Sequence, residues 1–411
     1  MAEMEDVAAF GARARAWIEA NVTREHDLPE ADTAERVRSA LRLQQKIYDA
    51  GFAGITWPKE YGGQELSVAH MHAFVAALDG YENPYMLLSV SLGVCGPTIL
   101  EFGTPEQKTR YLPELLRGDV LWVQFLSEPS GGSDMAGVRT RADRDGDTWV
   151  VNGSKVWTTF GDLAHYSLCL ARTNWDVAKH AGLSMFVLPL AAPGVTVEPI
   201  TLASGKSDFC QEYLDDVTLP LDHLVGTLGD GWTVASRLLV HERTGLGGGS
   251  KYFAAGTFTE SGGSDDTELV ALATRTGRAD DPLARQLVGE VRAAAIVGEQ
   301  LAARVATGIR TGAMNSSSGS LLKLYTADLH LRRCEVAIDL AGPASVAWSD
   351  DDGRAEDHAF KYLVRQGTSI MGGTNEIQRN IISERVLDLP REAAPDKDMP
   401  FSQVPAGRTT A

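Results

Sequence analysis

Cysteine is scarce: Cys95, Cys169, Cys210 and Cys334 are the only four in 411 residues. They are widely spaced and none forms a C-x-x-C pair, which argues against a disulfide framework or a cysteine-based metal site and fits a reducing compartment. Long apolar runs are also lacking. No stretch approaches the ~20 apolar residues of a membrane span. The N-terminal MAEMEDVAAFGARARAWIEANV begins acidic and has no signal-peptide core. Positive charge is in deficit, with 38 Lys and Arg against 55 Asp and Glu, a net charge of −17 and a pI of about 5.0. That disfavours non-specific nucleic-acid binding, which needs clustered cations, but leaves room for a local basic pocket. What is present is 44% apolar residues, enough for a buried core over two or three domains. The expectation is a cytoplasmic globular protein with neither a membrane span nor a nucleic-acid partner.

Three textures follow one another. Residues 1–118 read as helical. In VAAFGARARAWIEANV, Val7, Phe10, Ala14 and Trp17 lie near one helical face. In TPEQKTRYLPELLRGD, Thr104 is a candidate N-cap, with Pro105 at the first helical position and Gln107 three residues after the cap. Residues 119–230 carry short β-type runs (LWVQFLS, DTWVVNGSKVWTT, HYSLCLART, LSMFVLPL, VTVEPI) between turn residues. They predict an antiparallel, barrel-like domain. Helical periodicity returns over 231–392, interrupted by the polar loop GTFTESGGSDDTEL, and predicts a helical bundle. The Pro-rich segment 393–411 reads as a mobile tail.

Five segments lie in register along this layout: WPKEYGG (57–63), TPEQKTRYLPELLRGD (104–119), SEPSGGSD (127–134), NGSKVWTTFG (152–161) and GGTNEIQRNIISERVL (372–387). Together they resemble the acyl-CoA dehydrogenase family over nearly the whole chain. The resemblance implies an α+β fold with an N-terminal helical domain, a central antiparallel β-barrel and a C-terminal four-helix bundle. It also implies FAD as cofactor, an acyl-CoA substrate and an electron-transfer flavoprotein as acceptor. By the same resemblance, the backbone of Phe125, Leu126 and Ser127 would face the flavin edge, where amides stabilise developing charge. Ser133 would contact both the FAD pyrophosphate and the acyl-CoA. Trp157 would cover the flavin, Thr159 would bond near its reactive nitrogen, and Thr374 and Glu376 would contact FAD. As plain structure, the first six are turn and strand residues, and Thr374 is a helix N-cap.

The reaction class needs a base for the α-proton, and a carboxylate lifted towards neutrality by burial suits it. One branch of the family places a glutamate directly before Gly-Thr, where this chain has Gly372. The segment WTVASRLLVHERTGLGGG offers another carboxylate. Ala235, Leu238, Leu239 and Leu246 form an apolar stripe at helical spacing, and Glu242 falls in it at i+3 from Leu239 and i+4 from Leu238. A carboxylate in such a stripe needs a reason. The segment resembles the base-bearing helix of isovaleryl-type and long-chain members, which carry a Glu-Arg pair here. Glu242 is the expected base, with pairing to an arginine as the alternative. Arg243 is expected near the CoA moiety or bracing the helix, and His241 as a packed or exposed neighbour. Gly245, Gly247, Gly248 and Gly249 each weaken a helix by up to ~1 kcal/mol relative to alanine. They are read either as room for a bulky or branched acyl group or as a helix end.

Two motifs that close the FAD site across a subunit interface in this family are eroded. Arg-x-x-Phe-Gly-x-Pro corresponds to TRTGRADDPLARQ (274–286), with Pro282 kept and only Arg275 or Arg278 nearby. Gln-x-x-Gly-Gly-x-Gly corresponds to DLAGPAS (339–345), with Asp339 for the glutamine and Pro343 for the second glycine. This pattern resembles actinobacterial acyl-CoA dehydrogenases of steroid side-chain breakdown, which form α2β2 assemblies. A hetero-oligomer in which this chain bears the base is expected, with a homo-oligomer as the alternative. Two other functions fit less of the sequence: a flavin oxidase or monooxygenase on the same fold, and a non-catalytic subunit that completes another chain's FAD site.

Overall fold

A computed structural model describes residues 5–246, 250–254, 267–347, 353–394 and 396–405. The first elements are α1 (Val7–Asn21), α2 (Thr33–Asp49), α3 (Val68–Ala77), a π-helical turn (Ser91–Cys95), α4 (Gly96–Phe102) and α5 (Pro105–Arg117). Eight strands follow: β1 (Trp122–Phe125), β2 (Arg141–Asp145), β3 (Thr148–Thr159), β4 (Tyr166–Arg172), β5 (Leu183–Pro189), β6 (Val195–Ile200), β7 (Phe209–Pro220) and β8 (Leu224–Val225). The remaining helices are α6 (Gly231–Leu246), α7 (Thr267–Arg275), α8 (Pro282–Thr311), α9 (Gly319–Ala341), α10 (Gly353–Val364), α11 (Gly367–Ile370) and α12 (Asn375–Ile381). The chain divides into two compact units. One comprises Met1–Thr201, Ser207–Thr257 and Ala394–Ala411; the other comprises Leu202–Lys206 and Phe258–Ala393.

Within the first unit, the helix α5 starts as its sequence dictates. The Thr104 hydroxyl accepts from the Gln107 N–H at 3.2 Å, and Gln107 Oε1 accepts from the Thr104 N–H at 3.1 Å. This satisfies two of the donors that a helix start leaves orphaned. The buried line of α1 is Phe10, Ala14 and Ile18, and Trp17 is half-buried against the same core. Trp57 of WPKEYGG is fully buried, and its indole Nε1 donates to the main-chain oxygen of Tyr252 at 2.9 Å. That bond fastens the chain beyond α6 to the N-terminal helices.

The sheet order is β6-β7-β3-β2-β4-β5-β8, with β1 also paired to β4. Pairing is antiparallel except where β1 and the first residue of β2, Arg141, meet β4 in parallel. Apolar side chains from β1, β2, β3, β4, β5 and β7, among them Phe125, Ala142, Val151, Cys169, Phe186 and Leu219, meet in one core. A sheet whose strands share one core must curl, as expected for a barrel-like domain. The β3–β7 ladder slips register between Val156 and Thr158, a bulge that leaves Trp157 unpaired.

α6 packs with this first unit. Val234, Ala235 and Leu238 are fully buried in the core formed by the N-terminal helices, β1, β4 and β5. The helices of the second unit gather around Leu269, Leu272, Ala284, Val291, Val336 and Leu340. None of the described helices is long and apolar enough to cross a membrane. Most of the predicted polar loop at 256–269, along with Gly247, Gly248 and Gly249, lies outside the described residues.

One expectation needs correction. Part of the segment expected to be a mobile tail, residues 396–405, is fastened to the first unit. The N–H groups of Phe401 and Ser402 donate to the main-chain oxygens of Val177 and Trp175, each at 2.8 Å. Phe401 is 6% exposed, and the Arg172 guanidinium lies 3.6 Å from its ring centroid. A single buried aromatic with cation–π contact is enough to anchor an otherwise polar segment.

Candidate active site

The buried line of α6 runs through Val234, Ala235, Leu238 and His241, and Glu242 sits half-buried on its flank. His241 is turned away from this flank. Its Nε2 meets Glu101 Oε2 at 3.0 Å, and Glu101 also accepts from Arg237. Burial lowers the His241 pKa although Glu101 pulls it up, so the imidazole is a packed structural residue. Arg243 is exposed in the last turn of α6.

Two elements face Glu242. From β1, Gln124 Nε2 donates to Glu242 Oε2 at 3.0 Å. From the π-helical turn comes Cys95, whose buried thiol is pushed up first by desolvation and then by the Glu242 charge. The same turn secures β1. The Ser91 hydroxyl donates to Trp122 O at 2.9 Å and accepts from Trp122 N–H at 2.8 Å, while Cys95 Sγ donates to Val123 O at 3.4 Å. π-turns recur at functional sites, and this one joins the strand bearing Gln124 to the region of Glu242. Gln124 was not singled out from sequence. The signal was present: alternation puts it on one strand face with Trp122 and Leu126, which are both buried among apolar side chains.

The β-domain residues expected at a flavin are close in the fold. The Phe125 and Leu126 side chains are buried, so only their backbone is available to a ligand. The Ser127 carbonyl accepts from the Val156 N–H at 3.0 Å, which joins the end of β1 to the strand of Trp157 and Thr159. Trp157 has φ 67 and is 57% exposed. A left-handed tryptophan displayed on a bulge is strained and apolar at once, which is informative about function. Its flat face, with the half-buried Thr159 two residues on, fits a planar aromatic cofactor. Ser133 is exposed in a loop held by Arg172, which donates to Ala136 O (2.6 Å), Val138 O (3.2 Å) and Lys179 O (3.0 Å).

Behind these residues lies a buried charge network assigned no role from sequence. Lys155 Nζ donates to Glu128 Oε1 (2.9 Å), Leu126 O (3.2 Å) and Leu170 O (2.7 Å). Glu128 also accepts from the N–H groups of Arg139 and Thr140. Burial alone would raise the Glu128 carboxyl, but Lys155 and these donors hold it below the usual range. The motif residues Glu128 and Lys155 thus brace the loop after β1. Glu212, bonded to the Thr158 hydroxyl at 2.9 Å, is raised by burial to about 7.

In the second unit, Thr374 caps α12 by accepting from the Ile377 N–H at 3.2 Å, and Glu376 is exposed beside Arg379. Gly372 has φ 66, and its carbonyl accepts from Gln378 Nε2 at 3.1 Å. Arg278 pairs with Asp281 and donates to the main-chain oxygen of Asp339 at 2.6 Å. Arg275 is exposed at the end of α7.

The N-terminal, middle and C-terminal domains of the acyl-CoA dehydrogenases match residues 4–119, 124–217 and 229–387. The chain belongs to the acyl-CoA dehydrogenase family. It is 36% identical over 403 residues to acyl-CoA dehydrogenase IpdE1 of Mycobacterium tuberculosis, covering 95% of this chain and 100% of that protein. The steroid acyl-CoA dehydrogenase Tcur3481-Tcur3483 superposes with a TM-score of 0.74 at 26% identity, covering 94% of this chain and 98% of the other. A glutaryl-CoA dehydrogenase of Mycobacterium smegmatis in complex with FADH2 shares the fold, with a TM-score of 0.67 at 22% identity, covering 95% and 96%. Acyl-CoA dehydrogenases are FAD-binding flavoprotein oxidoreductases, and this chain carries the family's three-domain architecture.

Proposed function

We propose that this acyl-CoA dehydrogenase converts an acyl-CoA thioester to its trans-2-enoyl-CoA with Glu242 as the catalytic base. The observation that carries this reading is a carboxylate on the half-buried flank of α6, bonded to Gln124, in a chain whose other candidate position is Gly372. Glu242 takes the α-proton as the thioester acidifies that C–H bond, and the β-hydrogen leaves as hydride. FAD, when bound, supplies the two-electron acceptor for that hydride, and an electron-transfer flavoprotein then takes the electrons. Trp157 and Thr159, with the backbone of Phe125, Leu126 and Ser127, would hold the flavin. Ser133 would hold the pyrophosphate and the acyl-CoA, and Arg243 would lie on the CoA side.

The acyl group is bulky or branched. Supporting this are the glycines at 245 and 247–249, next to Glu242 in sequence, and the steroid acyl-CoA dehydrogenase among the similar structures. The chain works as the base-bearing subunit of a hetero-oligomer. Its two cross-subunit FAD motifs are eroded, Arg278 is engaged with Asp281 and Asp339, and the name of the steroid enzyme joins two proteins.

The decisive experiment is Glu242→Gln. FAD content should stay unchanged, and bleaching of the flavin by acyl-CoA should fall by at least about 10³-fold. Full bleaching by the variant would sink the assignment.

A further inference from the structure

We infer that Gln124 is a positioning residue for the base, holding one oxygen of Glu242 so that the other is presented to the substrate α-carbon. This rests on Glu242 being the base. Three observations carry it. The amide Nε2 lies 3.0 Å from Glu242 Oε2. Its donor face must point at the carboxylate, because the opposite amide orientation would set two acceptors against each other. Gln124 also stands on a strand face shared with the buried Trp122 and Leu126, where an apolar residue would pack at no polar cost. Its own Oε1 is buried without a hydrogen-bond partner. A side chain kept at the expense of an unsatisfied acceptor is there for the bond its other end makes. Finally, β1 is held by Ser91 and Cys95 at Trp122 and Val123, so the donor stands on a rigid element, as a precise site requires.

The other titratable neighbours are accounted for. Cys95, facing from the π-helical turn, is kept a neutral thiol by burial. On α6, His241 and Arg237 are both engaged with Glu101 of α4, and Arg243 follows Glu242 exposed in the last turn. Among the described residues, Gln124 donates directly to the carboxylate from across the site. Gln124 thereby fixes the direction in which the base is presented.

The test uses the FAD-loaded assembly co-purified with its native partner and the variants Gln124→Met and Gln124→Glu, with Glu242→Gln as reference. The first readout needs no turnover: the carboxylate stretching band of Glu242, isolated at one fixed pH by subtracting the Glu242→Gln infrared spectrum, reports its hydrogen bonding. The second is kcat and KM with whichever thioester bleaches the flavin fastest in a panel of straight-chain, branched and alicyclic acyl-CoAs. Gln124→Met should shift the band, because the carboxylate loses its donor. It should lower kcat by about tenfold or more, with KM changed by less than about threefold. Gln124→Glu, which replaces the amide donor with a carboxylate, should shift the band and lower kcat as well, and it serves alone if the methionine variant does not fold. A band and a kcat identical to wild type in the variants overturn the inference while Glu242→Gln is inactive. Full activity in Glu242→Gln overturns the base assignment itself.

Discussion

Arg278 Nη1 donates to the main-chain oxygen of Asp339 at 2.6 Å. The two residues come from the two stretches that depart furthest from the family's FAD-closing motifs, and the same guanidinium also pairs with Asp281. An arginine committed to its own chain in this way joins the end of α7 to α9 rather than reaching for a pyrophosphate.

Arg278→Ala should leave the flavin-to-protein ratio unchanged and lower stability by about 1 kcal/mol, the scale of a partly exposed charged hydrogen bond. Flavin absorbance and urea midpoints measure the two effects. Loss of flavin at unchanged stability would return Arg278 to the cofactor.

The chain expressed alone should hold less than one FAD per protomer. Co-expression with its native partner, recovered by co-purification from the host, should restore full loading. A stable homotetramer carrying one FAD on every protomer would rule out the hetero-oligomer.

Gly372→Ala should destabilise the chain by about 1 kcal/mol, because φ 66 places it in the left-handed region. The measurement is a shift in urea midpoint at constant m-value. An unshifted midpoint would mean that the backbone there relaxes freely.

Glu212 sets a pH dependence of stability with a definite sign. Its carboxyl is raised from 4.5 to about 7 in the fold, first by burial. Its contribution is therefore full below about 4.5 and is lost as pH rises through about 7. Glu212→Gln should match wild type near pH 4.5 and exceed it by up to about 3 kcal/mol near pH 8, at about 1.4 kcal/mol per pH unit. Denaturant midpoints across that range test it, and parallel curves for the two proteins would contradict it.

Local rules made much of the fold legible in advance. The Thr104 capping box, the Thr374 N-cap and the change from helical to strand texture each depend on residues close in sequence. The long-range pairings were not legible. Gln124 and Glu242 are 118 residues apart, and nothing in either neighbourhood names the other. Each shows in sequence only as a polar side chain on an apolar face, a signal that is plain on a long helix and faint on a four-residue strand. Glu128 and Lys155 were hidden differently: both lie in quoted motifs, but their burial as a pair follows from the curl of the sheet. Phe401 went unread because one aromatic in a Pro-rich polar stretch has no periodicity; Arg172, its partner, comes from a distant strand.

The anchoring of residues 396–405 has a practical consequence. Arg172 is 0% exposed with Phe401 over its guanidinium, and its three carbonyl partners include two in the loop that follows Ser133. Cutting the chain ahead of Phe401 would open that guanidinium to water and slacken the Ser133 loop from behind. A fusion or protease site joined after Pro405 would leave the fastening closed.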